Sequence, residues 1–407
     1  MSEIKDIVVI GGGIVGCSVL YALARKGCCN TILIEKNELT SGSTWHAAGN
    51  VTHFGHYAEI TKLYADSLDL YREAERVTQA DIGFHNTGSL RLANNKREWD
   101  AYLNLEKFYQ DIGVPYRVVG PDEIKELNPL VDIEGVLGAA YTPGDGHVDP
   151  TLTTNALAAA AKNLGAEIIR HQSVTSIEQS NGEGWVVSFD GGEVLAKELV
   201  LATSFWTREL TASLGLDLPL YAFEHHEVIT EDIDELKTLN REVPAVRDSR
   251  APSNVRQERF SLLCGVYETK PKLWATDGIP KDFGQELLVP DLERLEDHLL
   301  KVIERMPAFG SYGIKTVNNG PLCFPPDGCP MVGPIETHKG LWLAAGFPVG
   351  IGTGGGSAQF LAEWMIEGKP PYDLEMIYPN RFNKGISQQQ VFEQMKETYS
   401  SGYKVTE

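Results

Sequence analysis

Cysteine is sparse in this chain. Six thiols stand among 407 residues, Cys17, Cys28, Cys29, Cys264, Cys323 and Cys329, and their spacing forms neither a metal-ligand pattern nor a disulfide framework. No metal is expected, and a reducing, cytoplasmic setting is the expectation for thiols used this way. The vicinal pair Cys28-Cys29 precedes an apolar run and reads as two packed or edge thiols. Cations are also short: 36 Lys and Arg face 56 Asp and Glu, a formal net charge of −20. Nucleic acid is therefore not an expected partner, because its binding depends on cations that neutralise phosphates. No apolar run approaches the ~18 residues of a membrane-spanning helix, so no membrane span is expected. Met1–Asp6 is short and mostly polar, and the expectation is that no targeting segment precedes the first strand. Internal repeats and low-complexity tracts are absent.

What is present is a chain with 42% apolar residues, long enough for a large core and better suited to two domains than one. It opens on Ile7–Ile10, a short apolar strand that breaks into Gly11, Gly13 and Gly16 at the G-x-G-x-x-G spacing, followed by helical periodicity over Cys17–Arg25. Gly11 permits a sharp turn, Gly13 lets a pyrophosphate approach the backbone, and Gly16 lets the helix pack on the strand. The helix N-terminus then faces the phosphates. A second strand, Thr31–Ile34, ends in Glu35, 19 residues after Gly16, close to the ~20 of a ribose-binding carboxylate. Strand, glycines, helix, strand and acid together predict a dinucleotide cradle.

Next comes Ser41-Gly42-Ser43-Thr44-Trp45-His46-Ala47-Ala48-Gly49-Asn50, small residues around one Trp and one His, able to thread close to a ligand. Taken alone, His46 is a loop histidine. Helices are expected at Ala58–Arg76, Lys96–Gly113, Pro121–Leu127, Thr151–Leu164 and Asp291–Met306, and a hairpin across Gly191-Gly192. Leu220–Thr230 contains Glu224-His225-His226-Glu227. Adjacent strand residues point to opposite faces, which argues against a shared metal.

The GGGIVG opening, the Glu35-Lys36 pair and especially STWHAAG resemble the dimethylglycine dehydrogenase and sarcosine dehydrogenase branch of the D-amino-acid-oxidase-like flavoproteins. The resemblance covers about residues 6–382. It implies FAD held by Gly11, Gly13, Ile14, Val15, Gly16, Glu35 and Lys36, by Gly42 through Asn50, and by Val174 and Trp206. A late turn, Gly346-Phe347-Pro348-Val349-Gly350-Ile351, should wrap the pyrimidine edge of the flavin. It also implies that His46 carries FAD through a covalent bond to the flavin 8α-methyl. His225 takes the place of a histidine beside the substrate amine, with Tyr267 as a second catalytic candidate and His226 facing away. Arg91 or Arg256 would hold a substrate carboxylate. Four departures stand out: Ser204 where relatives usually have glycine, Pro348-Val349 for the commoner Gly-Tyr, and Ser253-Asn254 where dimethylglycine-oxidising relatives have paired tyrosines. Finally, Cys323 is not at the offset of the cysteine that tethers flavin in some monomeric sarcosine oxidases.

The implied fold is α/β plus α+β, a Rossmann-type, glutathione-reductase-like FAD-binding domain with a second, antiparallel-sheet substrate domain. The first is assigned residues 1–84, 145–219 and 320–382, the second 85–144 and 220–319, with 383–407 a polar C-terminal tail. The larger family enzymes carry a further tetrahydrofolate-binding half, which the reading expects to be missing. The implied function is FAD-dependent oxidative N-demethylation of a small N-methylated amine such as dimethylglycine or sarcosine, giving formaldehyde. Oxygen or an electron-transfer protein would be the acceptor. Two alternatives stay open: a D-amino-acid or other secondary-amine oxidase, and a flavin-bearing assembly subunit without turnover.

Overall fold

The computed structural model describes residues 4–55, 57–180, 184–382 and 387–401. Two sheets carry the chain, and their segments alternate along the sequence. The eight-stranded sheet is built on the opening apolar run. Ile4–Ile10 lies near its centre, parallel to Thr31–Ile34 on one side and to Gly192–Leu201 on the other. Glu167–Ile169 and Leu341–Ala345 extend it in parallel on the two sides. Met331–Pro334 closes one edge antiparallel, and Trp185–Phe189 forms the expected hairpin with Gly192–Leu201.

Strand alternation divides this sheet into two cores. Ile7 and Val9 pack under the helices Ile14–Arg25, Ala58–Thr78, Pro150–Asn163 and Gly350–Glu367. Val8 and Ile10 face the other way, with Trp185, Phe205 and Leu343. Both faces are covered, which is why these strands read as continuous apolar runs rather than alternating ones.

The second sheet has nine strands. Its order is Leu273–Trp274, Tyr221–Thr230, Ser261–Val266, Ser253–Glu258, Ala245–Asp248, Ser89–Ala93, Gly138–Thr142 and Arg117–Val119, with Ile314–Phe324 also paired to Tyr221–Thr230. Every pairing is antiparallel except Ala245–Asp248 with Ser89–Ala93. Leu90, Val228, Val246, Val255 and Cys264 share a core with Val302, Met306 and Phe309. Their strand neighbours point to the opposite face, which looks toward the first sheet. The fold is thus a Rossmann-type α/β unit joined to a largely antiparallel second sheet.

Two expectations from sequence are corrected here. The helix anticipated over Asp291–Met306 is shorter: a 3-10 turn at Glu293–Leu295, then Glu296–Arg305, with Pro307 opening a separate turn because it has no N–H to continue the ladder. Within the stretch read as a polar tail, Gln388–Ser401 is a helix that buries Val391, Met395 and Tyr399 against Tyr221, Phe223 and Phe324. Its polar composition hid a narrow apolar stripe at i, i+4, i+8.

Candidate active site

A cavity of about 1180 Å³ lies between the two sheets. Most residues singled out from sequence line it. Gly11, Gly13, Ile14, Val15, Glu35 and Lys36 do so from the opening unit, and Gly42, Ser43, Thr44, His46, Ala47, Ala48, Gly49 and Asn50 from the following loop. Val174, Trp206 and the turn Gly346, Phe347, Pro348, Val349, Gly350 and Ile351 complete that wall, and His225 and Tyr267 stand on the other. Gly16 and Trp45 are not on the cavity surface. A Cβ on Gly16 would sit 1.9 Å from the Gly11 carbonyl oxygen, so this glycine serves helix-to-strand packing. Trp45 sets its ring edge-on to His46, centroids 5.5 Å apart. Cys323 is buried outside the lining.

The cradle end is held by short polar contacts. Glu35 accepts hydrogen bonds from the Gly12 and Asn37 amides at 2.6 and 2.8 Å. Burial raises its carboxyl above the usual range, and those amides oppose the shift. Thr44 Oγ1 accepts from the Ile14 amide at 3.1 Å, tying the loop to the helix N-terminus. The imidazole of His46 lies against the backbone of Gly320: a Cβ there would be 2.2 Å from its Cε1. His46 is pushed down to about 4 by burial, and its Nε2 is buried without a hydrogen-bond partner among the described residues. Ser204 adopts φ 51°, the left-handed region that favours glycine, which accounts physically for a glycine being usual there in relatives.

The opposite wall is one row of the second sheet. Strand register aligns Asn318, Glu227, Gly265, Asn254, Arg247 and Arg91 side by side, and all six line the cavity. Sequence reasoning reached Arg91 as a carboxylate candidate, Asn254 as a departure from relatives and Glu227 only within a run weighed for a metal. Glu227 was legible as the residue two beyond His225 on the same strand face; Arg247 needed the pairing of strands far apart in sequence. Burial raises Glu227 to about 7, against the pull of Arg256. Burial, with Arg247 beside it, lowers Arg91 to about 10. The Arg91 guanidinium stacks 3.9 Å from the Phe54 ring centroid, and its Nε has no hydrogen-bond partner among the described residues. Arg256, the other carboxylate candidate, is not on the cavity surface. Its guanidinium is committed to Ala48 O at 2.9 Å, Gln257 O at 2.8 Å and Glu258 at 2.7 Å.

His225 and His226 face opposite ways, as strand geometry requires. His226 Nε2 accepts from the Asp291 amide at 3.1 Å, away from the cavity. His225 is pushed down to about 3 by burial, with His226 and His46 adding to the shift, and is neutral at neutral pH. Its Nδ1 is 2.7 Å from the Tyr399 hydroxyl, and its ring centroid is 4.9 Å from that of Tyr267. Tyr399 was missed from sequence, since it lies in the stretch read as a polar tail.

Comparison with known proteins follows the same lines. The sequence model of one family, described as DAO: FAD dependent oxidoreductase, matches residues 6–364. This chain belongs to the DAO family. Dimethylglycine dehydrogenase, mitochondrial, of Mus musculus is 40% identical over 399 residues, which cover 97% of this chain and 46% of that protein. The formaldehyde-forming 4-methylaminobutanoate oxidase of Paenarthrobacter nicotinovorans is 35% identical over 377 residues, 92% of this chain and 45% of that protein. The chain spans about half the length of the curated relatives it matches. Among solved structures, L-proline dehydrogenase from P. horikoshii shares the fold with a TM-score of 0.82 at 27% identity, covering 94% of this chain and 98% of that one.

The cavity of this DAO-family chain fits the cofactor of its family. Gly13 caps the helix Ile14–Arg25 without a side chain, leaving the helix terminus open toward the lining. Gly11 takes φ 107°, which turns the strand sharply away beside Ala202. The orphaned Nε2 of His46 is a buried nucleophilic nitrogen on the same wall. No helix among the described residues is long and apolar enough to cross a membrane.

Proposed function

We propose that this chain binds FAD and oxidises a small N-methylated amino acid, such as dimethylglycine or sarcosine, by oxidative N-demethylation. One observation carries the reading: a single cavity joins a dinucleotide cradle to a wall with His225 and Glu227 on one strand face and Arg91 and Arg247 farther along it. Such a wall suits a substrate with an amine at one end and a carboxylate at the other. The names of the relatives, a dimethylglycine dehydrogenase and a formaldehyde-forming methylaminobutanoate oxidase, support the same chemistry.

Arg91 and Arg247 hold the carboxylate, and Asn254 between Arg247 and Gly265 in the row adds a polar contact. His225 receives the amine proton at Nε2, because only a neutral amine gives up a hydride. Glu227, its carboxyl raised by burial to about 7, lies two residues along the same strand face and offers the amine a hydrogen-bonding group. When bound, FAD supplies the two-electron acceptor, and the substrate iminium left behind hydrolyses to the demethylated amine and formaldehyde. His46 is assigned as the covalent anchor, supported by its unpartnered Nε2 at the cavity wall. The division into an FAD-binding and a substrate domain belongs to this reading, as does a protein electron carrier or oxygen as final acceptor. A reducing cytoplasmic compartment is part of it too, supported by six free cysteines.

The test is an anaerobic flavin-bleaching screen of N-methylated amines, with formaldehyde assayed afterwards. Bleaching with formaldehyde is expected. Bleaching with ammonia instead would move the assignment to deamination, and no bleaching across the panel would refute turnover.

A further inference from the structure

His225 presents a puzzle within the proposed reaction, on which this inference rests. Burial makes its imidazolium unfavourable, yet it is the group placed to take a proton from the substrate amine. What lies behind the ring resolves this. Tyr399 Oη is 2.7 Å from His225 Nδ1 and 2.9 Å from Glu268 Oε2, and it is fully buried. Glu268 in turn lies 3.1 Å from Arg294 Nε, an ion pair with both partners largely buried. A tyrosine hydroxyl has one proton to donate. The Glu268 carboxylate, paired with Arg294, accepts it. The same oxygen must then accept from His225, so the hydrogen of the imidazole is on Nδ1 and the lone pair is on Nε2, toward the cavity. The Nε2 atom lies 3.7 Å from where a Cβ on Gly265 would sit, on the cavity side of the sheet.

We propose that Tyr399 and Glu268 are positioning and proton-accepting partners of His225, making the helix Gln388–Ser401 a functional part of the active site. The step balances without a co-reactant. Nε2 takes the proton of the substrate ammonium, Nδ1 passes its own proton to Tyr399 Oη, and the Tyr399 proton moves to Glu268 Oε2. No net charge rests on the buried imidazole; the charge change falls on Glu268, which burial already biases toward the acid form against the pull of Tyr399 and Arg294. The helix is fixed in register for this task. Thr398 Oγ1 donates to Pro326 O at 2.7 Å and Ser400 Oγ to Glu268 O at 3.1 Å, on either side of Tyr399. The other titratable groups facing the relay are His46, His226 and Tyr267 around His225, and Tyr267, Arg294 and Glu224 around Tyr399 and Glu268.

The experiment uses FAD-loaded wild type, Y399F and E268Q, with the rate constant of anaerobic flavin reduction measured from pH 6 to 10 against dimethylglycine and sarcosine. Both variants should reduce on the order of 100-fold more slowly at neutral pH. The deficit should close as pH rises and free amine is supplied from solution, while the apparent affinity for the amine stays nearly constant. A pH-independent deficit, or wild-type rates in E268Q, would overturn the proton route. Histidine 15N spectra give a second arm that needs no substrate. His225 should be the Nδ1–H tautomer in wild type and shift toward Nε2–H in Y399F; an unchanged tautomer would overturn the positioning role. If no amine reduces the wild-type flavin, the reaction assigned above fails, and the tautomer arm still decides this one. Should Y399F not fold, E268Q carries both measurements.

Discussion

A single methyl group at Gly320 is expected to break the flavin anchor. Gly320 sits in the strand Ile314–Phe324, opposite His225, and its φ is outside the left-handed region, so alanine fits the backbone. The new Cβ would lie 2.2 Å from His46 Cε1, 2.5 Å from Nδ1 and 2.7 Å from Nε2. Moving Cε1 out to the 3.4 Å of ordinary contact is a retreat of 1.2 Å. No hydrogen-bond partner among the described residues holds Nε2, so the ring yields rather than the strand. Overpacking of this kind costs about 1–3 kcal/mol, and reacting groups tolerate displacement of only about 0.5 Å. Gly320→Ala should therefore remain folded and bind FAD through the opening cradle, but attach little of it. The assay is acid precipitation, with the colour partitioned between pellet and supernatant. Wild type should leave a yellow pellet, and Gly320→Ala and His46→Ala should both leave a yellow supernatant. Adding Gly320→Ala to His46→Ala should cost no further FAD. A yellow pellet from Gly320→Ala, at wild-type flavin content, would refute the geometry on which the anchor rests.

Two further outcomes follow from the sheet row. Arg91→Gln should weaken carboxylate-bearing amines roughly 10- to 100-fold, the worth of a charge-assisted hydrogen bond, while leaving dimethylamine unaffected; titrated flavin bleaching measures both, and equal losses would remove Arg91 from carboxylate binding. Glu227 binds its proton more tightly folded than unfolded, so its contribution to stability is complete below about pH 4.5 and is lost as pH rises through about 7. Glu227→Gln should therefore gain on wild type between those values, by at most about 3 kcal/mol at pH 8. Urea unfolding at pH 5 and pH 8 checks this, and a pH-independent difference would show that the carboxyl is not held protonated by burial.

How far the sequence discloses this site depends on whether a feature is local. The cradle is local: Ile7–Ile10, the glycines and Glu35 follow one another in a single β-α-β unit, and the structure returns Ile10, Gly11, Gly13 and Glu35 as one wall of the cavity. The wall opposite is not. Arg91 and Arg247 become neighbours only through a parallel pairing of strands from distant parts of the chain, and Tyr399 arrives on a helix whose composition is polar. Yet the choice between Arg91 and Arg256 was open to a local argument. Strand residues two apart share a face. Arg256 has Glu258 at that spacing, and the structure pairs them at 2.7 Å, which neutralises the guanidinium before any ligand arrives. Arg91 has Ser89 and Ala93 at the same spacing, and Arg247 has Ala245 and Ser249. A buried strand arginine with no acid two residues away has no counter-charge on its own strand face, and Arg91 and Arg247 are both buried. By that criterion Arg91 and Arg247 were the candidates, and Arg256 was already committed by its own strand.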